Sequence, residues 1–223
     1  MYKILIKIML LSSINFLVVG CNGQNNDNKK VKEIMKEKFD FEIYKKTDYG
    51  IEKYVKSDGT EIFMIGFNEK SGGFIHENPV KPNFYTTYKE FYTNGNIKKK
   101  EKYIGKYVKI GVSQYYDEKS NLEKEIDENE KFGKIKPSDV LLFLEKEGYI
   151  NCKTGQGREN KDGSPKFELG YEDNIWYITI PQGRGITPED LEGVELIGEP
   201  SKWFPYTYEL DGNTGKLLKT NKK

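Results

Sequence analysis

Side chains able to do chemistry are scarce in this chain. It has two cysteines, Cys21 and Cys152, and one histidine, His76, in 223 residues. A metal site or a Ser-His or Cys-His pair would need His76. With no second histidine and no cysteine nearby, it reads as a surface residue of a loop. Carboxylates are plentiful, but the adjacent pairs Asp117-Glu118 and Glu172-Asp173 would point to opposite faces of a strand. Glu189-Asp190 follows Thr187-Pro188, where acids complement a helix dipole. None of these makes an acid/base dyad. No Gly-x-Ser-x-Gly, phosphate loop or His-Glu-x-x-His occurs. Asp211-Gly212-Asn213-Thr214-Gly215 offers oxygens to calcium without the spacing of an EF-hand. Cys152, beside Tyr149 and Ile150, reads as a small buried hydrophobe. The residues therefore assign no catalytic, cofactor-binding or metal-binding position, and the expectation is a protein without catalysis.

Cys21 is set apart by what precedes it. Lys3 and Lys7 open the chain without an acid, and Ile8–Leu11 and Ile14–Val19 supply an apolar segment, as in a secretory leader. The segment is broken by Ser12, Ser13 and Asn15 and falls short of the roughly 20 residues of a spanning helix. Val18-Val19-Gly20-Cys21 resembles the lipobox of bacterial lipoproteins. That resemblance implies a diacylglycerol in thioether linkage to Cys21, cleavage after Gly20, and often an acyl chain on the new amine. Two or three chains suffice for stable anchoring. Residues 21–30 then form a lipidated tether, with polar Asn22–Asn28 having nothing to bury. Asn22 is not the aspartate associated with inner-membrane retention, so an outer-membrane location is favoured if the cell is Gram-negative.

Composition narrows the rest. Removing Met1–Gly20 from 223 residues leaves 203, and taking Lys3 and Lys7 from 36 Lys and Arg leaves 34 against 35 Asp and Glu. A near-neutral chain with no basic half argues against nucleic acid as partner. With Cys21 committed to lipid, Cys152 has no disulfide partner. Sixteen Tyr and twelve Phe supply buried area and favour strands.

The expected architecture is α+β, mostly an antiparallel sheet or meander with a few short helices. Lys29–Lys38 has helical spacing, and Phe39–Tyr54 alternates like a strand. Ser57-Asp58-Gly59 is a hairpin turn into a strand over Glu61–Phe67, apolar on both faces and so expected to be central. Asn68–Asn83 reads as a loop, from Ser71-Gly72-Gly73, Asn78-Pro79 and Lys81-Pro82. Glu128–Lys136 is a charged connector and candidate boundary between a β-rich region (31–130) and an α+β region (136–223). Pro137 and Gly148 bracket a helix over Ser138–Glu147 capped by Ser138. Phe167–Tyr171 and Trp176–Ile180 form a hairpin that Pro181 ends. Thr187–Gly193 is a helix of barely two turns, and a loop over Pro200–Pro205 leads to the strand Tyr206–Leu210. Asp211–Gly215 is a turn, and Lys216–Lys219 is the last strand.

Two further resemblances rest on motifs. Phe91-Tyr92-Thr93-Asn94-Gly95-Asn96-Ile97-Lys98-Lys99 recurs as Tyr115-Tyr116-Asp117-Glu118-Lys119-Ser120-Asn121-Leu122-Glu123-Lys124, 24 residues on at the tyrosines and 25 at Ile97 and Leu122. This is similar to MORN-variant repeats over 85–127 and implies a meander of stacked hairpins. Lys119-Ser120-Asn121 departs from the family's glycine turn. Over 137–223, the helix, the Trp176-led strand and the strand ending Asp211-Gly212-Asn213-Thr214-Gly215 resemble a PepSY-type domain. That implies a small α+β module of secreted or membrane-attached proteins, proposed to inhibit or chaperone peptidases. The Thr187–Gly193 insertion departs from the pattern. The functional expectation is a lipid-anchored envelope module that binds a protein partner, as an inhibitor or immunity-type protein among other forms. The alternative is a structural or assembly lipoprotein of an envelope complex. Replacing Cys21 with Ala should move the protein from the membrane fraction to the soluble fraction and abolish incorporation of labelled fatty acid. Unchanged fractionation would remove Cys21 as the anchor.

Overall fold

The computed structural model describes residues 36–160, 165–193 and 201–222. Cys21, the expected leader and the expected tether lie outside the described residues, as does 29–35 of the expected first helix. The described residues from Lys36 onward belong to one compact unit. A short helix, α1 (Phe41–Lys46), precedes seven strands: β1 (Tyr54–Val55), β2 (Glu61–Asn68), β3 (Gly72–Asn78), β4 (Tyr85–Phe91), β5 (Ile97–Ile104), β6 (Val108–Tyr116) and β7 (Leu122–Asp127). They pair antiparallel in chain order, an uninterrupted meander. After a 3-10 turn at Glu128–Lys131 come α2 (Pro137–Lys146) and strands β8 (Glu168–Glu172), β9 (Ile175–Gly185), β10 (Trp203–Asp211) and β11 (Leu217–Thr220). These make a second antiparallel sheet, also in chain order. The architecture is mostly antiparallel sheet with few, short helices, as expected.

Several local expectations are overturned. Lys36–Lys38 is extended rather than helical, and Lys38 bridges Asn96. Phe41–Lys46 is a helix where alternation suggested a strand. Asp40 decides it: its Oδ1 accepts the Ile43 N–H at 2.9 Å and caps the first turn. Phe41 and Tyr44 then lie three apart, and both set ring edges against Phe39. The Asn68–Asn83 loop contains β3. Gly72 and Gly73 are there because other groups fill the space of a Cβ: it would sit 2.0 Å from the Phe91 carbonyl oxygen at Gly72 and 2.7 Å from the Phe39 ring at Gly73. The strand at Glu61 is bordered on one side only by two-residue β1, so it lies next to an edge rather than centrally.

In the second sheet, β9 runs through Pro181 to Gly185, and β10 includes Pro205. The β9–β10 register slips between Phe204 and Tyr206, so Pro205 falls in the irregularity, where no ladder N–H is required. The expected helix after Thr187 is one 3-10 turn, Pro188–Leu191. α2 begins at Pro137, with Lys136 rather than Ser138 at the cap position; Asp139 Oδ2 accepts the Lys136 N–H at 2.8 Å. Asp173 and Asn174, both at positive φ, make the tight turn between β8 and β9.

The buried apolar residues form two clusters. Phe39, Ile62, Ile65, Ile75, Phe91 and Ile97 pack with Ile43 and Tyr44 of α1. Phe84, Ile104 and Val108 join a larger cluster built around Trp176, with Leu169, Ile178, Tyr208 and Leu210 of the second sheet and Val140 and Leu144 of α2. The charged connector takes part: Phe132 is buried and stacks on Trp176 at 5.0 Å, and the indole N–H donates to the Ile135 carbonyl at 3.1 Å. Beside these clusters the first sheet buries charge. On one face Lys89 bridges Glu37 at 2.5 Å and Glu77 at 3.0 Å.

Leu144 is fully buried whereas Leu142 on the same helix is 57% exposed. Leu144→Ala should cost about 2–5 kcal/mol in urea unfolding, and Leu142→Ala less than about 0.5 kcal/mol. Equal effects would contradict the packing of α2 on the second sheet.

Candidate functional site

The face of the first sheet opposite Lys89 carries a row of aromatic groups. Across the ladder His76 pairs with Tyr88 and Tyr88 with Glu101, so all three project from one face. The His76 ring lies 5.5 Å from Phe63, 6.0 Å from Phe74 and 4.8 Å from Tyr88. The second sheet meets this face at Gly105, where a Cβ would come within 2.9 Å of the Leu169 N. Further out the two diverge. They leave a groove of about 690 Å³, floored by Phe63, His76, Tyr88 and Tyr103 and walled on the far side by Glu168 and Gln182. That is within the range of roughly 300–1,000 Å³ typical of ligand sites. β9's passage through Pro181 is what brings Gln182 to the wall.

Beside the groove sits a buried carboxylate. The Glu101 side chain is 1% exposed. Tyr103 donates to its Oε2 at 2.8 Å, Tyr115 to its Oε1 at 3.0 Å, and Lys109 to Oε1 at 2.5 Å, while Lys99 stands 3.6 Å away. Burial opposes the charge. The bonds from Lys109 and Tyr103 and the charge of Lys99 outweigh it and hold the carboxyl below its usual value. Tyr103, raised by burial and by Glu101, stays a protonated donor. Burial lowers His76 below its ordinary 6.5, so it is neutral near pH 7. A carboxylate so fully bonded is fixed in its ionised form and serves to set the tyrosines in place rather than to exchange protons.

The residues singled out in the sequence fare differently. His76 is on β3, half-buried among aromatic rings, not on a surface loop. Cys152 is half-buried against the Trp176 cluster, its thiol pushed up by burial and then by Glu145. Asp211 spends its Oδ1 on the Asn213 and Thr214 N–H groups and the Thr214 hydroxyl. Asp190 is held by Arg184, whose two nitrogens reach its oxygens at 2.6 and 2.7 Å. Asp117 accepts the Lys119 and Asn121 N–H groups in its turn. These acids are scattered and none faces the groove. Sequence reading missed Phe63, Tyr88 and Tyr103 as a set. The signal was present as aromatic residues on successive strands, but register decides which of them meet.

Set against protein-family models, curated proteins and solved structures, the chain matches none of them.

Glu101→Gln keeps the shape and removes the charge, leaving Lys109 without its counter-charge. The cost should be about 1–3 kcal/mol at neutral pH, discounted for the partial exposure of the lysines. A carboxyl with a lowered folded pKa stabilises above its unfolded value and loses that as it is protonated. The gap between wild type and variant in urea unfolding should therefore narrow as pH falls below 4.5. A gap that stays constant down to about pH 3 would show that the charge on Glu101 contributes nothing.

Proposed function

We propose that this chain is an α+β lipoprotein of the cell envelope, held to the membrane by lipid on Cys21, that binds a protein partner and performs no catalysis of its own. The groove carries this reading. A concave floor of rigid rings with a few polar groups on its walls is what recognition sites use, because aromatic side chains supply contact area at low entropic cost. The neighbouring Glu101, being satisfied on all sides, pre-organises that floor.

Two features support the family resemblances as part of the proposal. Successive turns of the first sheet are bonded at the repeat spacing: the Tyr92 hydroxyl donates to the Tyr116 carbonyl at 2.8 Å and Asn94 Nδ2 to the Glu118 carbonyl at 3.1 Å. This favours the MORN-variant reading of 85–127. The order of α2 and β8–β11, with Asp211 and Thr214 closing their turn and Gly215 at positive φ, favours the PepSY-type reading of 137–223.

The test is capture of partners by the soluble chain from residue 22 onward, compared with Tyr88→Ala. Tyr88 is half-buried and lies on the groove floor, so the variant should fold with little change in melting and lose most of the captured partner. A partner retained at full strength by the variant would place recognition elsewhere. Absence of any capture above background would sink the binding reading.

A further inference from the structure

The chain enters its folded unit at a fixed point. The Glu37 carbonyl accepts the Ile97 N–H at 3.1 Å, Phe39 donates its N–H to the Gly95 carbonyl at 2.8 Å, and the Glu37 carboxylate bridges Lys89. Rings lead from there to an exposed loop after α1. Phe39 lies 5.6 Å from Tyr44, and Tyr44 lies 5.4 Å from Tyr49. Tyr49 is 65% exposed and Ile51 81%. Single exposed apolar groups are ordinary, but this pair is displayed at a cost. Asp48 and Tyr49 are consecutive non-glycine residues at positive φ, 48° and 56°, a conformation that bulky side chains rarely take. Buried Thr47 enforces it: its hydroxyl donates to the Tyr44 carbonyl at 2.8 Å and accepts the Gly50 N–H at 3.1 Å. Gly50 is pressed on β2, where a Cβ would sit 2.2 Å from the Ile65 carbonyl oxygen. Strain held this firmly points to a use for the side chains it displays. The surrounding sequence is basic. Residues 29–56 carry nine lysines and six acids in a chain otherwise close to balanced. Lys45 and Lys46 close α1 with no carboxylate partner among the described residues.

We infer that this loop is a second contact with the membrane. Tyr49 and Ile51 enter the interface of an anionic bilayer, and Lys45 and Lys46 meet its headgroups. A tyrosine and an aliphatic group beside lysines is the composition that such interfaces favour. Where the chain comes from favours a bilayer over a protein as the occupant. Fifteen residues lead from Cys21 to Lys36, so lipid on Cys21 keeps the entry point within roughly 50 Å of the bilayer. The loop lies two ring contacts from Phe39. A surface confined so closely meets the bilayer at high effective concentration, and a contact too weak to hold the free chain suffices. The inference rests on the anchored reading above and names the face that the anchored protein turns to the membrane.

The test holds the chain from residue 22 onward on vesicles by an N-terminal polyhistidine tag and a nickel-chelating lipid, so that it does not depend on lipid at Cys21. The vesicles are phosphatidylcholine, with or without about one third phosphatidylglycerol, and carry brominated or plain acyl chains. Ile51→Trp is the reporter, because bromine quenches an indole that enters the bilayer. Ile51 is exposed, so the variant should melt as the wild type does. On vesicles with phosphatidylglycerol, bromine should quench the reporter at least threefold more than the wild-type chain, whose indoles are Trp176 and Trp203. Lys45→Glu with Lys46→Glu should remove most of that quenching. Should the reporter misfold, hydrogen exchange of Thr47–Glu52 in the wild-type chain decides: slowing on the anionic vesicles supports the contact, and unchanged exchange overturns it. Quenching no greater than in the wild type, or equal with and without phosphatidylglycerol, overturns the inference. So does loss of the captured partner in the Ile51→Trp chain without quenching, which would make the loop a protein surface. Any of these failures leaves the anchor standing, because Cys21→Ala fractionation tests it separately.

Discussion

The indole of Trp176 fastens the molecule together. It is fully buried, stacks on Phe132 of the connector, and donates to the Ile135 carbonyl. Ile135 in turn donates its N–H to the Gly212 carbonyl, so the connector is laced to the far turn of the second sheet. Around this point Ile104 and Val108 from the first sheet share a cluster with Leu169 and Ile178 from the second. The groove is a by-product of that fastening. Two sheets joined at one end diverge beyond the join, and the face between them stays open.

The first sheet has an unusual interior. Beside its apolar clusters, β3 to β6 bury charge on both faces: Lys89 with Glu37 and Glu77 on one, Glu101 with Lys109 and Lys99 on the other. Buried ion pairs are weak sources of net stability, because desolvation offsets attraction. They are strong sources of specificity, since a one-residue slip in register would strand each charge against an apolar neighbour. The aromatic rings beside Glu101 inherit that definition. Tyr103 and Tyr115 are fixed by their hydroxyls as well as by their packing.

Much of this was legible from residue types alone. The hairpin at Asp58-Gly59, the meander of β4 to β7, α2 between Pro137 and Gly148, and the turn at Asp211 all carry local signals strong enough to stand without tertiary context. The failures have a common cause. Gly72 and Gly73 mark a loop when read locally, yet they begin a strand because Phe91 and Phe39 press against them. Pro181 and Pro205 mark strand ends locally, yet a register slip absorbs Pro205 and lets β9 continue. Asp40 caps a helix whose alternating aromatics imitate a strand. His76 was visible as a residue and misplaced as an environment, because the three rings that desolvate it come from β2, β3 and β4. The groove itself had no sequence signature, being made by contacts among segments more than 100 residues apart, from Phe63 to Gln182.

The hydrogen bonds that tie one hairpin turn to the next have a consequence for how the chain acquires and keeps its shape. Tyr92, Asn94 and Asn96 reach acceptors only 22–24 residues ahead. Each strand of the first sheet needs only its immediate predecessor as a template, so closure of long loops is never required. Such a sheet can assemble progressively, a rung at a time, at low contact order. It also tolerates a change in length by a whole rung, since removing or duplicating one two-strand unit of 24 residues preserves the pairing of those that remain. The second sheet lacks this freedom. Its Trp176 is tied to Phe132 and Ile135 of the connector, so variation in size should be confined to the first sheet and leave the join untouched.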